Sequence, residues 1–197
     1  MAKRKNETLT DFTLLSYLKD NKDFAKSWTV KKIPNNHAIQ ECLDVSSKSE
    51  SFERGEPDLI YLNENKRLLI LVENKDLIKD HQSKDGKKPK DYAVDGIKHY
   101  LSFFTTEKLK TRKETTRNYL KDWNFVGIAF SGDIYDEYNH LISTFIISEN
   151  KIVDIDTKEI LDEEDYLAFF ENVDLEKIAT NISKSSSEIN RYLRAID

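Results

Sequence analysis

An α/β fold, with a central mixed sheet flanked by helices, is the class this sequence predicts, on three observations. Two apolar, β-favouring runs, Asp58–Leu62 and Arg67–Val72, flank the turn-forming residues Asn63–Lys66, which marks a hairpin. A helical stripe over Asp91–Phe104 then leads into the apolar run Phe125–Phe130 (FVGIAF), so at least one strand is reached by a crossover. Finally, 197 residues with 38% hydrophobic and 34% charged side chains are enough for one domain with a real core and a highly charged surface.

The elements follow in order. Thr8–Lys19 has capping residues and places Phe12, Leu15 and Leu18 at helical spacing. Ser27–Ile33 reads as a short strand. Asn35–Val45 opens with good caps and sets Ala38, Ile39, Cys42 and Leu43 on one face, a second helix. The polar stretch up to Gly55 is a loop before the hairpin, and a lysine-rich loop runs from the hairpin to Lys90. In the next helix Ala93, Val94, Ile97, Tyr100, Leu101 and Phe104 share one stripe. Lys108–Lys121 is charged and helical. The strand Phe125–Phe130 stops at Ser131-Gly132-Asp133, and Leu141–Ser148 with Lys151–Ile155 forms a second hairpin around Glu149-Asn150. Glu163–Phe170 is a short helix and Asp174–Ala195 a longer, charged one.

Composition narrows the functional classes. No apolar run approaches the roughly 18–20 residues a membrane-spanning helix needs, and the basic start MAKRKNETLTDF lacks the apolar segment of a signal peptide. The one cysteine, Cys42, permits neither an internal disulfide nor a cysteine zinc site, so a cytoplasmic protein is expected. His37, His81, His99 and His140 show no ligand spacing. A net charge of −5 argues against a protein that coats nucleic acid, but not against an enzyme that cuts it. One basic strip is present: Lys79, Lys84, Lys87, Lys88 and Lys90. It reads either as a solvated loop or, with His81, as a set of DNA contacts.

The triplet Glu-Asn-Lys occurs three times, at Glu64–Lys66, Glu73–Lys75 and Glu149–Lys151. The first and third fall between short apolar runs and read as turns. The second ends a strand. Alternation puts residues 73 and 75 on one face and Asn74 on the other. The partner strand starts at Pro57-Asp58, and a turn through 63–66 pairs position 58 with about position 71, so Asp58 and Glu73 share a face. Two carboxylates aimed together require a cation or a proton between them. Mg²⁺ suits that need, with Asp58, Glu73 and the Asn74 carbonyl as oxygen ligands, and Glu41 as a candidate third acid. Lys75 would position or deprotonate an attacking water and offset charge on the transition state. The alternative is a surface hairpin with an Asp–Lys salt bridge.

Pro57-Asp58, fourteen intervening residues, then Glu73-Asn74-Lys75 resembles the PD-(D/E)xK nuclease superfamily. The wider stretch Gly55–Asp133 resembles the amino-terminal nuclease domain of bifunctional restriction-modification enzymes of the type IIG and type ISP groups. There the nuclease precedes an adenine-N6 methyltransferase. The resemblance implies a restriction-endonuclease-like core over residues 1–172, with 173–197 a connecting helix. It implies Asp58 and Glu73 as ligands of Mg²⁺ (or Mn²⁺ as a substitute) and Lys75 as the catalytic lysine. Asp95 and Tyr100 would fall on the helix beside the site, the alternative being Asp95 as a solvated helix residue and Tyr100 as core. Gly96, costly inside a helix, suggests a close approach of neighbouring backbone or DNA. The implied partners are double-stranded DNA, a methyltransferase and target-recognition part in the same or a partner chain, and a second copy for double-strand cleavage. The sequence departs from the family in having little room for a strand between Val45 and Gly55. That leaves the helix near Thr8 as the other candidate for the family's first helix, in place of the one bearing Glu41. Two other functions stand beside this one: a stand-alone restriction endonuclease, and a nuclease-like fold used only for binding or assembly.

Overall fold

The computed structural model describes residues 7–22, 28–30, 34–48 and 54–171. Among them six strands form one sheet whose spatial order follows the chain: β1 (Thr29–Val30), β2 (Leu59–Asn63), β3 (Leu68–Lys75), β4 (Asn124–Gly132), β5 (His140–Ser148) and β6 (Lys151–Asp154). β3 and β4 run parallel, and the other neighbouring pairs are antiparallel. The helices are α1 (Glu7–Asn21), α2 (His37–Leu43), α3 (Ala93–Ser102), α4 (Thr106–Leu109) and α5 (Glu114–Leu120). This is the α/β class with a mixed sheet flanked by helices that the sequence predicts. No helix among the described residues is long and apolar enough to cross a membrane.

β3 explains the architecture. Its eight residues, LLILVENK, are all buried. Such a strand cannot show a face to water, so both faces need cover. α3, in the crossover from β3 to β4, lies on one face, and Gly127 of β4 lets it come close. A Cβ there would stand 2.6 Å from Leu101 Cδ1 and 2.7 Å from Ile97 Cγ1. α1 packs against β3 as well, and alternation along the strand assigns it the opposite face, because Asn74 bonds to α1 whereas Glu73 abuts α3. α2 is capped by Asn36, whose side chain accepts from Ile39 N, and it buries the expected Ala38, Ile39, Cys42 and Leu43. Burial pushes the Cys42 thiol up to about 12, which leaves it an inert apolar filler.

Several elements differ from the sequence expectation. The buried face of α1 carries Asp11, Leu14 and Leu18, while Phe12 is 54% exposed. The stripe is turned because Asp11 is drawn inward to Asn74. Lys108–Lys121 is two short helices rather than one, since Glu41 of α2 accepts from Lys113 N and Thr116 Oγ1 and starts α5 afresh. A 3₁₀ turn, Ile78–Asp80, interrupts the lysine-rich loop. β4 runs on through Ser131 and Gly132, which pair with Leu141 and His140. Only Thr29–Val30 of the expected first strand is described as strand.

The chain divides into two compact units, one ending at Asp162 and one beginning at Glu163. In the second, residues 163–171 are helical, as expected for Glu163–Phe170. The longer helix expected at Asp174–Ala195 lies outside the described residues.

Candidate active site

The β2–β3 register brings the acids together. Leu59 faces Val72 and Ile60 faces Leu71, so continuation of the ladder sets Asp58 opposite Glu73, not near position 71. The turn is Glu64–Arg67 rather than 63–66, with Asn63 facing Leu68 and Arg67 at φ 49°. That moves the pairing by two residues, an even number, so the face of every side chain is unchanged. Asp58 is fastened at both ends: its N–H donates to Val72 O (3.0 Å), and its Oδ2 accepts from Asn74 N (2.7 Å).

Glu73 is the centre of the site. Its side chain is 1% exposed, and Oε1 accepts from Lys75 Nζ at 3.1 Å and from Lys48 Nζ at 2.5 Å. Oε2 is buried and has no hydrogen-bond partner among the described residues. Gly96 explains how Glu73 fits beneath α3. A Cβ at residue 96 would lie 2.9 Å from Glu73 Cγ and 2.8 Å from Pro89 O, so the helix glycine marks a close approach of neighbouring backbone and of the candidate ligand. Lys48 also lies 5.0 Å from the centre of the Tyr100 ring, a cation–π distance. Tyr100 is core, 1% exposed, and burial with the nearby Glu73 and Asp58 raises its hydroxyl above the ordinary range.

Electrostatics favour a cation. Burial, then the neighbouring Glu73 and Asp11 carboxylates, push Asp58 up to about 7, against the hydrogen bond from Asn74 and the charge of Lys48. A carboxyl raised in this way ionises readily only if positive charge is supplied. Two carboxylates, one with a buried oxygen lacking a partner, form a donor set that fits a hard divalent ion completed by water. No group of three or more His, Cys, Asp or Glu among the described residues is arranged as a cage.

Asp58, Glu73, Lys75 and Lys48 line one cleft of about 470 Å³, which Lys88 and Lys90 line as well. Asp95 acts on the cleft indirectly. It is 3% exposed and accepts from Ser83 N (3.4 Å), Ser83 Oγ and Lys88 N (2.8 Å), which ties down the loop that leads to Lys88 and Lys90.

Other sequence candidates fall elsewhere. Glu41 is spent on the start of α5 and does not line the cleft. After Glu73, the acid that acts on Asp58 is Asp11, 1% exposed, whose Oδ1 accepts from Asn74 Nδ2 at 3.2 Å. His81 is not a surface DNA contact. It is 8% exposed, with Nδ1 3.1 Å from Ser131 Oγ and Nε2 3.0 Å from Ser143 Oγ, and burial lowers it to about 4. Lys79 and Lys87 are exposed and outside the cleft lining. Lys48 and Asp11 were missed by the sequence reading. Asp11 carried a signal, a charged residue in register with Leu14 and Leu18 on a helix. Lys48 carried none, being one polar residue in a polar loop.

Comparison with models of known families, with curated proteins and with solved structures finds no match to this chain, so the functional reading rests on the cleft itself.

Proposed function

We propose that this chain is a Mg²⁺-dependent DNA endonuclease module, hydrolysing phosphodiester bonds in a duplex selected by a methyltransferase and target-recognition part. One observation carries the reading: Asp58, Glu73 and Lys75 meet at the end of a buried strand pair, in one cleft, with a carboxylate oxygen that has no hydrogen-bond partner among the described residues. Asp58 and Glu73 are the side chains that would hold the ion, with the Asn74 carbonyl beside them. When bound, such an ion polarises the scissile phosphate and acidifies a water. Glu73 pairs with the Lys75 ammonium at 3.1 Å and holds it in the cleft lining. From there the ammonium orients the attacking water and offsets negative charge gathering on phosphorus. Lys88 and Lys90 meet flanking phosphates. Cutting both strands calls for a second copy or a second binding event.

The test is relaxation of supercoiled plasmid with Mg²⁺ or Mn²⁺, comparing the wild type with Asp58→Ala and Lys75→Ala, alongside calorimetric titration of the same ions. Nicking by the wild type that both substitutions abolish supports the reading. Ion binding and nicking both absent from the wild type would leave the fold as a binding or assembly module.

A further inference from the structure

The Glu73 carboxylate has two ammonium partners where the proposed chemistry uses one, and the second comes from outside every motif in the sequence. Lys48 lies in the loop after α2, reaches Glu73 Oε1 at 2.5 Å, and is 18% exposed along its side chain. Tyr100 supplies a ring face behind the ammonium. A lysine held by a buried carboxylate and an aromatic face is not a casual surface contact.

Lys48 and Lys75 both stand at the Glu73 carboxylate, with the acids Asp58 and Asp11 close by. A divalent ion approaching Glu73 would meet two ammonium groups at that ligand, and their repulsion would offset part of its attraction to the carboxylates. With Lys48 withdrawn, one of those two positive charges is gone and the ion is bound more tightly. Lysine suits such an exchange, because its charge sits on a flexible four-carbon stem. Lys48 lines the same cleft as Lys75, Lys88 and Lys90, the lysines that would face a bound strand.

We infer that Lys48 is a resident counter-cation of the site: it occupies Glu73 until a divalent ion takes its place, then turns to the phosphate of the bound strand. This deepens the metal-dependent reading and rests on it. Lys48 thus opposes the ion and favours the nucleic acid, two effects of opposite sign that a merely structural lysine would not produce.

The experiment uses the whole chain in two titrations. Calorimetry with Mn²⁺ alone should show Lys48→Met binding about tenfold more tightly than wild type, since a like charge within a few ångströms of the ligand is gone. Anisotropy with a short labelled duplex in Ca²⁺ should show Lys48→Met binding about three- to tenfold more weakly, with Lys48→Arg close to wild type. Circular dichroism melts confirm that each variant is folded. Equal or weaker Mn²⁺ binding by Lys48→Met, with the wild type binding normally, overturns the inference and leaves the nuclease reading standing. Absence of Mn²⁺ binding from both proteins overturns the two together. Mn²⁺ binding tightened as expected, with duplex binding unchanged, overturns the transfer to phosphate.

Discussion

Glu-Asn-Lys closes β3 at Glu73–Lys75 and turns the β5–β6 hairpin at Glu149–Lys151, and the two copies share nothing but composition. In the hairpin, Glu149 and Asn150 take left-handed conformations, φ 49° and 67°, and both are exposed. Their work is to reverse the chain. On β3 the same residue types are 1%, 2% and 8% exposed, in extended backbone, with Glu73 engaged by Lys48, Asn74 by Asp11 and Lys75 by Glu73. The difference lies upstream. Five buried apolar residues, Leu68 to Val72, carry the second triplet into the interior before it can turn. Charge becomes chemistry where burial removes water from it.

The sharpest way to break the comparison is to remove the same lysine from each copy. Lys75→Ala should lower plasmid nicking by about 10²–10³-fold, as expected for a positioned charge at a developing oxyanion. Lys151→Ala and Lys66→Ala should leave the rate within about twofold of wild type, as ordinary surface changes do. Equal losses at residues 75 and 151 would mean that position on the sheet is irrelevant.

A second contrast concerns proton affinity. Asp58 is raised from 3.8 to about 7, so the folded protein holds a proton that the unfolded chain has already released across that range. Stability therefore falls as pH rises from about 4 to about 7, and no further on this account above it. Asp58→Asn does not titrate. It should match wild type at pH 4 and exceed it by about 2–4 kcal/mol at pH 8, read from urea melts without added metal. The asparagine oxygen can still accept from Asn74 N. Millimolar Mg²⁺ should restore much of the wild-type deficit and leave the variant unmoved. A variant less stable than wild type at pH 8 would show that the carboxylate is adequately compensated by lysine alone.

Gly96→Ala probes the same site through packing. The added methyl would press on Glu73 Cγ and on Pro89 O, one a side chain and the other backbone that cannot rotate away. A cost of about 1–3 kcal/mol is expected from overpacking, against the usual gain for alanine over glycine in a helix. Nicking should fall with it, because Glu73 must move. A stabilised, active Gly96→Ala would mean that α3 sits further from β3 than described.

Much of this fold was legible in advance because it is written in local periodicity. The β2–β3 hairpin, the amphipathic α3 and the buried β4 each announce themselves in an unbroken run of residues. Even the register error at position 58 was harmless, since a shift of two keeps the same face. What local pattern could not show were the long-range partners. Asn74 reaches back 63 residues to Asp11, and Glu73 reaches back 25 to Lys48. Glu41 and His81 lie outside the cleft lining for the same reason. Each met a distant hydroxyl, Thr116 for one and Ser131 and Ser143 for the other. A polar residue's role is decided by what folds onto it, and sequence spacing carries that only within one element.

The smallest effect tests the turn that shares the site's composition. Asn150 sits at φ 67°, where a side chain with a Cβ is strained, and its Oδ1 accepts from Thr106 N at the start of α4 at 2.8 Å, in an exposed setting. Asn150→Gly removes the strain along with that hydrogen bond, and water can replace the bond. The net change should stay within about 0.5 kcal/mol. Asn150→Ala loses the bond and keeps the strain, so a cost of about 1–2 kcal/mol is expected. Nicking should be the same for both and equal to wild type. A thermal-melt order in which alanine outranks glycine would mean that the backbone at 150 is not left-handed in solution. A loss of nicking by either would tie the hairpin to the cleft and undo the separation between the two triplets.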